Sequence, residues 1–186
     1  MEPYIVTVDG PSGSGKGSLA LRLAKHLGFH ILDSGAIYRL AALKALDQQV
    51  DLEDEDQVVA AIQDIQISFQ TGQELTIPFL DGKDVAEQIR SEKTGSAASI
   101  VAAYPRVREQ LLKLQREFFQ PPGLVADGRD MGTVVFPRSN HKFFLDASPE
   151  ERARRRQKQL AEQGQQADWH LHQHHPEKYP TLVNFP

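Results

Sequence analysis

The stretch Gly10-Pro11-Ser12-Gly13-Ser14-Gly15-Lys16-Gly17-Ser18 constrains this chain more than any other. Its closely spaced glycines open backbone conformations closed to other residues, and a lysine sits among them. Before it, Tyr4 to Asp9 is a short β-branched run that reads as a buried strand. After it, Leu19, Leu23 and Leu27 recur every fourth position up to Gly28, the pattern of a helix with a glycine stop. Strand, G-x-x-x-x-G-K loop and helix in direct succession make a phosphate-binding loop. Main-chain N–H groups converge on phosphate oxygens, the helix N-terminus adds positive partial charge, and Lys16 reaches the terminal phosphates. Residues Gly10 to Ser18 are therefore read as the binding loop for a nucleoside triphosphate. Gly17 stands where many such loops carry a Mg²⁺-binding Ser or Thr, and Ser18 follows one position later, which leaves the metal ligands open.

The rest of the chain alternates strand and helix signals. Phe29 to Leu32 reads as a second strand, and Asp33-Ser34 supplies N-cap candidates for a helix to about Leu46. Val58, Val59, Ile62 and Ile65 share one helical face over residues 56–65, and Ile67 to Phe69 and Glu74 to Leu80 flank a turn. Helices are expected over about Thr94 to Ala103 and Pro105 to Phe119. Leu124 to Asp127 and Lys142 to Asp146 read as buried strands, and Ser148-Pro149-Glu150-Glu151 opens a helix running to about Gln163. Such alternation implies a parallel sheet, whose ligands bind at the strands' carboxyl ends. Gly10 to Ser18, Asp33 to Arg39, Asp127 to Asp130 and the segment from Asp146 all begin there.

Composition narrows the partners. The 186 residues suit one domain with an insertion. Twenty-one basic against 25 acidic side chains give a net charge of −4, which argues against bulk nucleic acid. The absence of cysteine rules out disulfide scaffolds, Cys-ligated zinc and thiol catalysis. With no export signal and no apolar run approaching the roughly 18–20 residues that span a bilayer, a cytoplasmic monomer acting away from membranes is expected.

Several longer motifs occur in order: Asp33-Ser34-Gly35-Ala36-Ile37-Tyr38-Arg39, Ala97-Ala98-Ser99, Tyr104-Pro105-Arg106-Val107-Arg108, Asp127-Gly128-Arg129-Asp130-Met131-Gly132-Thr133 and Phe144-Leu145-Asp146-Ala147-Ser148. With the Gly-Lys-Gly-Ser of the loop, they make the chain resemble the bacterial cytidylate kinases from Tyr4 to about Gly164. The resemblance implies an α/β, three-layer P-loop fold with a parallel sheet, an NMP-binding insertion over about 56–119 and a lid beginning near 150. It implies transfer of the γ-phosphoryl group of ATP to CMP or dCMP with Mg²⁺. Lys16 and Arg129 would then be catalytic, Arg39 and Arg129 would hold the acceptor's phosphate, and Asp33 and Ser34 would line its pocket. Ser99, Arg108 and Asp130 resemble the cytosine-reading set. Cytosine offers an N4 amino donor and N3 and O2 acceptors, complementary to acceptors on Ser99 and Asp130 and donors on Arg108.

Past Gly164 the resemblance stops. The family's lid continues with arginines and is followed by a last strand and helix, whereas here Gln165 to Pro176 is rich in Gln and His. Residues 165–186 are expected to be a disordered tail of the kind an altered or truncated terminus leaves. Of the lid arginines, Arg152 and Arg156 are the candidates for closing over phosphate. Without the missing strand, Lys142 to Asp146 would form an exposed sheet edge. A second reading follows: a nucleotide-binding chain whose catalysis is impaired by the incomplete lid.

Overall fold

The computed structural model describes residues 4–72 and 76–162. Contacts divide the chain into two units, Met1–Asp146 and Ala147–Pro186. In the first unit, strands β1 (Tyr4–Asp9), β2 (His30–Asp33), β6 (Gly123–Gly128) and β7 (His141–Phe144) form one sheet in the order β2-β6-β1-β7. All three pairings are parallel. Helices α1 (Lys16–Leu27) and α2 (Ser34–Asp47) supply the first crossovers, and α4 (Glu92–Val101) and α5 (Pro105–Glu117) precede β6. A second, antiparallel sheet joins β3 (Ile67–Thr71), β4 (Thr76–Leu80) and the two-residue β5 (Lys83–Asp84). Helix α3 (Glu55–Ala61) precedes it.

The period-two alternation of the strands sorts their side chains onto two faces. Val6, Val8, Ile31 and Val125 pack with Ala20, Leu21 and Ala24 of α1. Ile5, Leu32, Leu124 and Ala126 face the larger cluster, built from Ile37, Leu40, Val101, Val107 and Leu111 of α2, α4 and α5. The result is the expected three-layer arrangement, helix on sheet on helices.

Local signals explain most boundaries. Gly28 ends α1 in the left-handed region at φ 66°, and the Asp33 side chain caps α2 by accepting from the Ala36 N–H. Helix α3 ends earlier than its apolar spacing predicts, yet Ile62 and Ile65 remain buried in the turns that follow. Two differences are larger. Strand β7 is the sheet edge expected without a further strand, but it is not buried: all four of its residues are exposed, with Phe143 at 53% and Phe144 at 69%, because neither face of the strand is covered as the faces of β1 and β6 are. A five-residue π-type turn, Met131–Val135, also stands where the sequence shows no helical spacing.

In the second unit, helix α6 (Pro149–Glu162) opens with the Ser148 hydroxyl accepting from the Glu151 N–H. Glu151 accepts from Arg154 at 2.8 and 2.9 Å and from Arg155 at 2.6 Å, and these bonds pull its carboxyl down to about 2. The Gln- and His-rich segment from 165 and the side chain of Arg156 lie outside the described residues.

Gly10 shows how tightly the strand-to-loop junction is built. At φ 153°, a Cβ added there would lie 2.1 Å from the carbonyl oxygen of Leu145, whereas at Gly28 it would meet nothing within 4 Å. Gly10→Ala should therefore cost about 3 kcal/mol through overpacking, and Gly28→Ala about 1 kcal/mol through backbone strain alone. Urea unfolding midpoints of the two variants check the difference.

Candidate active site

Parallel register decides which side chains meet at the carboxyl ends of the strands. Asp127 of β6 pairs with both Val8 of β1 and Asp33 of β2, so the carboxylates of Asp33 and Asp127 stand side by side on the α1 face of the sheet. Gly17, in the first turn of α1, approaches closely enough that a Cβ there would lie 3.2 Å from Asp127 Oδ2. Gly17, Asp33 and Asp127 line a cavity of about 30 Å³. Lys16 reaches toward it, with its Nζ 3.9 Å from Asp127 Oδ1 and 3.4 Å from the Pro11 carbonyl, to which it donates.

Helix α1 begins without a side-chain cap and without an acidic residue in its first turn. Gly15 precedes it at φ 93° and Gly13 turns at φ 81°, conformations that fold the loop back over the first amides. An uncapped helix N-terminus beside a lysine is a site of positive potential open to an anion.

The acidic side of the site is tuned by burial. Asp127 is 6% exposed, and its Oδ1 has no hydrogen-bond partner among the described residues. Loss of hydration pushes its carboxyl up to about 7, the charge of Asp33 adds to this, and Lys16 opposes it. Asp33 is raised for the same first reason, against the Ala36 N–H and the charges of Lys16 and Arg39. Asp9, on the opposite face of the sheet, accepts from the N–H groups of Met131 at 2.8 Å and Gly132 at 2.9 Å. Burial raises its carboxyl, those amides lower it, and the charges of Asp130 and Lys16 act on it in opposite directions.

The other expected residues fall into a second group. Arg108 donates to Asp130 at 3.1 Å, and both charges act on the phenol of Tyr38, whose pKa is raised first by burial. Arg39 donates to the Ile89 carbonyl at 2.8 Å and lies against Gly95 of α4, while its charge reaches Asp33. Ser34 is buried as the first residue of α2. Arg129 is exposed just past β6 and makes no ion pair among the described residues. Ser99 is exposed on α4, and its hydroxyl donates to the Gly95 carbonyl at 3.2 Å rather than to the Arg108–Asp130 pair. Ser18 is exposed on α1. Sequence spacing singles out neither Asp9 nor Tyr38 as a site residue, and it leaves Asp127 as a strand-end marker. Three acidic residues at the ends of three strands were the available signal.

A lysine heading an uncapped helix, above the carboxyl ends of parallel strands, is the arrangement of P-loop kinases. Residues 6–173 match the family described as cytidylate kinase, a match that runs past Gly164, where the resemblance carried by the motifs above ends. Over 160 residues, 86% of this chain, it is 59% identical to the cytidylate kinase of Vibrio cholerae serotype O1 and 58% identical to that of Vibrio vulnificus, covering 71% of each. It is 56% identical to the cytidylate kinase of Aeromonas salmonicida, covering 70% of that protein. A solved structure from Thermus thermophilus, TT1252, aligns over 89% of this chain and 81% of its own at 23% identity, with a TM-score of 0.39. The chain belongs to the cytidylate kinase family.

The raised carboxyl of Asp127 carries a pH signature. Between the ordinary value of 3.8 and about 7, the folded chain holds a proton that the unfolded chain has released. Stability therefore falls as pH rises through this window. The ligand-free protein should lose melting temperature between about pH 4 and pH 7, and Asp127→Asn should flatten that slope, as thermal denaturation at a series of pH values would show.

Proposed function

We propose that this chain transfers the γ-phosphoryl group of ATP to CMP or dCMP, giving ADP and CDP or dCDP. The observation that carries the reading is the pairing of Lys16 and the uncapped start of α1 with two acidic strand ends, in a chain that also holds Arg129 and the Arg108–Asp130 pair. Gly10, Pro11, Ser12, Gly13, Ser14, Gly15, Lys16, Gly17 and Ser18 would bind the triphosphate, with main-chain amides on its oxygens and Lys16 on the terminal phosphates. Arg39 and Arg129 would hold the acceptor phosphate in line. Phosphoryl transfer needs little covalent help from protein, so such positioning and charge neutralisation account for most of the catalysis.

The acidic group fits Mg²⁺. The buried oxygen of Asp127 without a partner, with Asp33 beside it, is a hard oxygen donor set next to the phosphate loop. Among the described residues no group of three acidic or imidazole side chains could enclose a metal. That suits an ion which keeps most of its waters and takes its remaining ligands from phosphate. Bound there, Mg²⁺ would offset negative charge on the transferring group, with Asp127 and Asp33 holding it through its waters.

Asp130 and Arg108 supply base selection. A carboxylate accepts from the cytosine N4 amino group, whereas uracil would present O4 and be repelled. Asp33 and Ser34 complete the acceptor pocket, and Ser99 would turn from the Gly95 carbonyl to the base. Among the described residues no helix is long and apolar enough to cross a membrane. A net charge of −4 favours free nucleotides over nucleic acid as substrates, and the absence of cysteine is compatible with a reducing, cytoplasmic setting.

An ATP-dependent assay across CMP, dCMP, UMP and AMP tests this. CMP or dCMP should be preferred, and Lys16→Met should lower kcat/KM by about 10²–10³-fold. Asp130→Asn should reduce discrimination between CMP and UMP by about tenfold or more. Equal rates with all four acceptors would overturn the assignment.

A further inference from the structure

Asp9 is the last residue of β1, and the phosphate loop starts at its neighbour. Its carbonyl accepts from the Leu145 N–H at 2.8 Å, and the Gly10 N–H donates to the Gly128 carbonyl at 3.2 Å. Those main-chain bonds tie the root of the loop to β7 and β6 without using the Asp9 side chain. The side chain has a separate task. It is buried, and its two oxygens take the Met131 and Gly132 amides, more than 120 residues along the chain.

Those amides open the Met131–Val135 turn, which has no cap of its own: Asp130 precedes it without a side-chain hydrogen bond to it. The first N–H groups of any helical turn lack acceptors within it. Asp9 provides them from another strand. The fit is close, because a Cβ at Gly132 would lie 2.8 Å from Thr7 Oγ1 and 3.3 Å from Asp9 Oδ2. Gly128, on the other side of Arg129 and Asp130, is equally confined, since a Cβ there would lie 2.7 Å from Met131 Cγ. Arg129 and Asp130 thus sit between a strand end and a turn that Asp9 fastens.

We propose that Asp9 is a positioning residue for the acceptor half of the site: its carboxylate fastens the Met131–Val135 turn to β1 and so fixes Arg129 and Asp130 relative to the phosphate loop. This rests on the functional reading above, in which those two residues bind the acceptor nucleotide. An asparagine at this position keeps the shape but turns an acceptor oxygen into an NH₂ donor facing an N–H. One of the two amides is then left buried without a partner. The turn loosens while the main-chain bonds of the loop remain.

The test compares wild type, Asp9→Asn and Gly132→Ala, the last pressing the turn away from β1, where its Cβ would crowd Thr7 Oγ1 as well as Asp9 Oδ2. Steady-state kinetics should show kcat/KM for CMP falling about 10²-fold in both variants, as expected for misplaced binding groups, with KM for ATP within about twofold of wild type. Amide hydrogen exchange should show Met131 and Gly132 losing protection in Asp9→Asn while Val6 and Val8 keep theirs. Equal rises in the KM of both substrates, or a lower melting temperature with unchanged kinetics in both variants, would overturn the proposal. If the wild type itself fails to phosphorylate CMP, the functional reading falls, and the exchange pattern alone decides whether Asp9 fastens the turn.

Discussion

The parallel pairing of β1 with β6 is the constraint from which the rest of this site follows. It sets Asp9 beside Gly128 and Val8 beside Asp127, so the root of the phosphate loop and the Arg129–Asp130 segment leave the sheet as neighbours. Pairing of β2 on the far side of β6 then adds Asp33 in the same register as Asp127. The pleat sends Asp127 and Asp33 toward α1 and Lys16, and Asp9 toward the opposite layer. One sheet thereby separates an acidic pair facing α1 and Lys16 from a carboxylate whose hydrogen bonds go to backbone amides.

That separation explains the electrostatics. Asp127 loses hydration without gaining a hydrogen bond, and its proton affinity rises accordingly. Asp9 is also desolvated, but two amides offset part of the loss. Carboxylates one position apart in register thus differ in their bonding: one leaves a buried oxygen without a hydrogen-bond partner, the other has both oxygens engaged.

Much of this was legible in the residues. The glycine loop, the extent of α1 with its Gly28 stop and the Asp33 cap are local features, and each falls where the sequence puts it, although α1 buries Ala20, Leu21 and Ala24 while Leu19 and Leu27 of the leucine spacing are exposed. The edge position of β7 followed from the absence of a further strand in the sequence, whereas the exposure of both its faces did not, because the run Lys142 to Asp146 has the apolar character of a buried strand. The Met131–Val135 turn escaped for a related reason. Its amides are satisfied by Asp9, a partner more than 120 residues away, and no periodicity within the segment reports that. The Arg108–Asp130 pair brings together two residues named from resemblance, while Ser99 rests on its own helix, a rotamer that no spacing argument reaches.

The obstacle facing Gly10 is a main-chain oxygen, that of Leu145, not the leucine side chain. Exchanging the side chain at 145 leaves that atom where it is, so no second-site substitution there can make room for a larger residue at 10. Drift is open to one partner and closed to the other. In a selection for suppressors of a bulkier residue at 10, compensating changes should therefore arise where they shift the backbone of β7 as a whole, and position 145 should be missing among them.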